Sequence, residues 1–107
     1  MTDKKAILFK LGKEVDKEGI ANLELIELNP ENGSKFTLSE LQKHVEGNIE
    51  SGGTISIDDS YYQIFVDEEG VIKNKPTNFG FWWAFGTKEG KYKFVGNVLC
   101  VKEEALE

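Results

Sequence analysis

Apolar residues fall along the chain in short clusters separated by charged or glycine-containing breaks, a spacing that suits several strands and one short helix. Lys5 to Leu11, KAILFKL, is an apolar run bounded by Gly12 and reads as a strand. Lys13 to Gly19 reads as a charged loop. In ANLELIELNP, Leu23 and Leu25 take one side and Ile26 and Leu28 the other, which gives a second strand ended by Pro30. NPENG is then turn chemistry, because Asn and Gly tolerate positive φ.

The clearest local signal is FTLSELQKHVEG. Thr37 can cap a helix whose Glu40 reaches back as the second member of a capping box, and Phe36 and Leu41 stand where a hydrophobic staple needs them. Leu38, Leu41 and Val45 recur at spacings of three and four, so Thr37 to Glu46 forms an amphipathic helix with Gly47 closing it. Thr54 to Ile57 and Tyr61 to Val66 read as a strand pair turning at Asp58 to Ser60. DEEG turns the chain again, with Val71 to Lys73 pairing back. Tyr92 to Val101 is apolar on both faces, Phe94, Val98 and Cys100 against Val95, Leu99 and Val101, which places it mid-sheet.

Between these elements, NFGFWWAF packs five aromatics into Phe79 to Phe85. As a strand it points Phe79, Phe81, Trp83 and Phe85 to one face and leaves Trp82 the lone aromatic on the other. As a short helix capped by Thr77 or Asn78 it makes a stripe that includes Phe79, Trp82 and Trp83. Both geometries fit the local sequence. Large buried rings supply core area that a domain of this size needs. Exposed ones supply a partner or ligand surface, or, with Lys73, Lys75, Lys88, Lys91 and Lys93 flanking them, a stacking platform for single-stranded nucleic acid.

Composition narrows the functions available. One hundred and seven residues make one domain. The formal net charge is −6, and all thirteen basic residues are lysine. An acidic chain without arginine is poorly suited to duplex DNA, where phosphate neutralisation and arginine forks on guanine dominate. No apolar run approaches the roughly 18 residues that span a bilayer, so no membrane role is expected. Cys100, the single cysteine, allows no disulfide within the chain and fits a reducing cytoplasm. The terminal Leu106-Glu107 pair matches the dipeptide that a C-terminal tag leaves behind and is set aside.

The sequence presents no catalytic constellation. His44, the only imidazole, sits at the edge of the apolar helix face with no nucleophile in a recognisable motif near it. Cys100 lies between Leu99 and Val101 and reads as a small apolar filler. One His and one Cys fall short of a zinc set. Asp58-Asp59 fails calcium-loop spacing, and Asp67-Glu68-Glu69 reads as a solvated hairpin tip. GTKEGK, Gly86 to Lys91, lacks the spacing and the hydroxyl of a phosphate loop and reads as a hairpin connection. No cofactor or metal is expected.

LELIELNPENG, the helix LSELQKHVEGNIE and VDEEGVIKNKPTNFGFWWAF…FVGNVLCV together resemble a bacterial and phage domain-of-unknown-function family over residues 22–101. The matching positions are Leu38, Leu41, Gln42, Val45, Gly47, Ile49, Glu50, Asp67, Glu68, Gly70, Pro76, Asn78, Gly96 and Val98. The chain departs from that pattern in its added N-terminal strand and in its aromatic stretch. The resemblance implies an accessory protein of a phage or mobile element with no established activity. Among the matched positions, Gln42, Glu50 and Asn78 are polar residues set beside apolar ones. They either lock the helix to Pro76-Thr77-Asn78 or line a shallow pocket.

The expectation is therefore an α+β domain: a mainly antiparallel sheet of about five strands, the Thr37 to Glu46 helix on one face, and a second short helix allowed at Asn78 to Phe85. The leading functional reading is a cytoplasmic protein-binding or inhibitory module. The runner-up is a nucleotide-like ligand site. The residues that would carry either are Trp82, Trp83, Asn78, Gln42, Lys88 and Lys91.

Overall fold

The computed structural model describes residues 5–18, 20–85 and 94–106. Among these, β1 (Ala6–Val15), β2 (Ala21–Leu28), β3 (Ile49–Ile57), β4 (Ser60–Asp67) and β5 (Val98–Lys102) pair antiparallel in the order β2-β1-β5-β4-β3. Two helices, α1 (Leu38–Val45) and α2 (Phe79–Phe85), and a 3-10 turn at Glu103–Ala105 complete an α+β fold. The N-terminal strand does not extend an edge. It lies between β2 and β5 and leaves β2 outermost.

The sheet has a core on each side. β5 alternates, sending Leu99 and Val101 into a cluster with Ala6, Leu8, Phe36, Leu41 and Val45, and Val98 and Cys100 into one with Phe9, Ile64 and Phe81. A strand apolar on both faces must be central, and β5 is. Leu41 and Val45 of α1 lie in the first cluster and Phe81 of α2 in the second.

Local chemistry sets the ends of α1. The Thr37 hydroxyl accepts from Glu40 N at 3.2 Å and the Glu40 carboxylate accepts from Thr37 N at 3.1 Å, which completes the capping box. Glu40 also accepts from Glu31 N, and that bond followed by the one from Thr37 holds its carboxyl below the usual value. The helix ends in a left-handed Glu46, φ 64°, not in the glycine that follows. Gly47 serves a close approach: a Cβ there would lie 2.5 Å from the Asp67 carboxylate. β3 and β4 turn through Asp58 and Asp59, both at positive φ, 49° and 65°, as a tight hairpin requires.

Several boundaries differ from the sequence reading. β1 continues past Gly12 to Val15 and pairs again with Ala21 after a register shift. The Asp16 carboxylate closes that hairpin by accepting from Glu18 N and Ile20 N. Val71 to Lys73 form no strand. They lie in a turn sequence in which Lys73 N donates to Glu69 O and Lys75 N to Gly70 O. Of the expected Tyr92 to Val101 strand, Phe94 to Asn97 stand outside β5, which begins at Val98, because Gly96 at φ 77° bends the chain after an isolated bridge from Val95 to Thr77; Tyr92 and Lys93 lie outside the described residues. The 86–91 hairpin connection lies outside the described residues.

Candidate functional site

The aromatic segment folds as a helix because Asn78 makes it one. Its Oδ1 accepts from Phe81 N at 3.1 Å, the bond of an N-cap, while its Nδ2 donates to Phe9 O and Gly96 O, both at 2.9 Å. The side chain is fully buried, and one amide ties α2 to β1 and to the turn before β5. Helical spacing then divides the rings. Phe81 and Phe85 sink onto Phe9, with edge-to-face centroid distances of 5.0 and 6.0 Å. Phe79 stacks with Trp83 at 5.3 Å and Trp82 at 6.2 Å on the outer side.

Trp83 is 54% exposed, whereas Trp82 and Phe79 are half-buried. Gly80 lies directly on the side chain of Leu23, so a Cβ at Gly80 would push that side chain aside. Leu25 pairs with Phe9 and Leu23 with Leu11, so both leucines point to the α2 side of the sheet. They are 62% and 39% exposed. Leu25 and Trp83 are thus largely exposed on the α2 side of the sheet, with Leu23 partly covered by Gly80 where β2 meets α2.

Gln42 belongs to the opposite side. It is half-buried near the end of α1, where its Nε2 donates to Asn48 Oδ1 at 3.3 Å. The structure therefore does not bring Gln42 together with Trp82 and Trp83, and Asn78 presents no atom to solvent. Glu50 is exposed on β3. Lys88 and Lys91 lie outside the described residues. His44 is half-buried, and burial, with Lys43 beside it, holds its pKa below the usual value. Cys100 is fully buried, which pushes its thiol up to about 12 and leaves no thiolate for chemistry.

Two polar residues are more deeply built in than their sequence context suggests. Asp67 is not a solvated tip residue: its side chain is fully buried, with Lys75 Nζ at 2.6 Å, Lys73 Nζ at 2.9 Å and Glu69 N donating at 2.9 Å. Burial disfavours its charge, but Lys75, Glu69 N and Lys73 outweigh that cost and bring the carboxyl down to about 2. Lys75 also donates to Glu46 O at 3.0 Å, so one ammonium neutralises Asp67 and caps the negative end of α1. The Lys-x-Lys spacing behind DEEG was the available signal. Asn97 accepts from Leu11 N and donates to His44 O and to Glu46 Oε2, all at 3.0 Å, and nothing local in the sequence marks it.

Lys75 and Asn97 line one half of a trench across the end of the sheet. A groove of about 460 Å³ between Lys10–Gly12, Asn22–Glu24 and Glu46 meets one of about 440 Å³ that continues to Asn74–Pro76. The two share Leu11, Gly12 and Glu46. Among the described residues, no cluster of His, Cys, Asp and Glu is placed to hold a metal ion, and no helix is long and apolar enough to cross a membrane. No family model matches the chain, and no curated protein or solved structure does.

Proposed function

We propose that the protein is a small cytoplasmic binding module that acts on a protein partner through the face where β2 meets α2. The observation that carries this reading is the joint exposure of Leu23, Leu25 and Trp83, at 39%, 62% and 54%, on one side of the sheet. Isolated exposed apolar residues are ordinary, but an aromatic anchor beside two aliphatic side chains is the composition of a binding hot spot. The fold supports the face rigidly: Asn78 fixes the start of α2, and Phe81 and Phe85 fix its underside. The resemblance of residues 22–101 to a phage and bacterial family supports an accessory role, and inhibition of the bound protein is the first activity to assay.

Immobilised wild-type protein, a Leu25→Ser, Trp83→Ser double variant and a Leu38→Ser control test this reading. Leu38 is 56% exposed on α1, across the sheet from the proposed face. A discrete bacterial protein retained by wild type and Leu38→Ser but lost from the double variant is the expected result. Equal retention by all three would overturn the assignment.

A further inference from the structure

Resting on that reading, we infer that β2 is a receiving edge, and that the partner segment is an extended strand alternating apolar and basic side chains. The two edges of the sheet are treated differently. β3 carries a bulge between Ser51 and Gly53, with Gly53 at φ 109°, a distortion that spoils an edge for further pairing. β2 runs from Leu23 to Leu28 in unbroken register against β1, with no lysine, proline or glycine in the strand. Among the described residues no strand covers its outer side. An edge of that kind pairs readily with another chain.

The side chains on β2 specify what pairs. Leu23 and Leu25 rise on the α2 side and favour apolar residues opposite them. Glu24, in register with Lys10, points to the other side. It opens onto the groove of about 460 Å³ that also contains Glu46. Lys10 is one cation against these two carboxylates, and the chain as a whole carries −6. A lysine or arginine between two apolar residues therefore places its charge in that groove while its neighbours cover the leucines.

A second copy of this chain fits less well. In the two longest antiparallel self-registers, one puts Glu24 on Glu24 of the other copy, and the other puts Leu23 on Glu27. The acidic net charge opposes both.

The test uses fluorescein-labelled decapeptides of alternating Val and Lys, of alternating Val and Glu, and of Val and Lys in separate blocks. Anisotropy gives affinity, and amide chemical shifts give the site. The alternating Val/Lys peptide should bind about tenfold more tightly than either comparison, with shifts concentrated on β2, and Glu24→Lys or Leu25→Lys should each weaken it about tenfold. Equal binding of the alternating and block peptides, unmoved β2 amides, or self-association through β2 would overturn the inference. If the Val/Lys peptide fails while Leu25→Ser, Trp83→Ser still abolishes partner capture, strand addition falls and the docking face stands. Loss of both results removes both.

Discussion

Replacing Asp67 with Asn is the most informative single perturbation of the fold. The change keeps an oxygen for Glu69 N but removes the charge shared with Lys73 and Lys75. The fall of the Asp67 carboxyl from 3.8 to about 2 corresponds to about 2.4 kcal/mol, at about 1.36 kcal/mol per tenfold in proton affinity. The lysine side chains are 40% and 20% exposed, so solvent screens both pairs and the expected loss is discounted to about 1.5 kcal/mol. A lowered carboxyl stabilises the folded chain fully above its unfolded value of 3.8, and that contribution is lost as pH falls through about 2. Urea unfolding should therefore separate wild type from Asp67→Asn by about 1.5 kcal/mol near pH 7 and by less than half of that near pH 2. A double-mutant cycle with Lys75→Met should show coupling of about 1 kcal/mol. A neutral-pH difference below about 0.5 kcal/mol, or one that does not change with pH, would refute the assignment of Asp67 as the buried anion beneath α1.

Asn78→Asp keeps the oxygen that caps Phe81 N but turns the donors to Phe9 O and Gly96 O into a repelling oxygen, so it should cost about 3 kcal/mol in urea unfolding; a variant as stable as wild type would sink the cap assignment. Trp83 is the more exposed indole, so Trp83→Phe should remove most of the iodide-quenchable emission and Trp82→Phe should leave it, the reverse pattern being contrary. Cys100, fully buried with its thiol at about 12, should react with an aromatic disulfide reagent only at the rate of unfolding and accelerate in urea; rapid stoichiometric labelling in buffer would show that β5 is accessible.

What the sequence revealed followed the range of each interaction. α1 was legible because its capping box spans Thr37 to Glu40 and its apolar stripe repeats within two turns. The central place of β5 was legible because a strand apolar on both faces has nowhere else to lie. α2 was undecided because its aromatics satisfy strand and helix spacing together. Asn78 decides it: its cap on Phe81 N is local, but the bonds that hold its amide in place run to Phe9 and Gly96, 69 and 18 residues away. The neighbours of Asp67 in the chain suggest a solvated tip, whereas its burial depends on the turn that brings Lys73 and Lys75 back. The candidate face required the longest-range information of all. Leu23 and Leu25 alternate as the residues of a half-buried strand do, and local patterning alone assigns them to core. They are exposed because β1 inserts between β2 and β5, which makes β2 an edge, and because the α2 residue that lies on Leu23 is a glycine. Strand order converts a core pattern into an open surface, so a Gly80→Ala substitution, whose Cβ would push the Leu23 side chain aside, would alter this face without replacing any of its exposed residues.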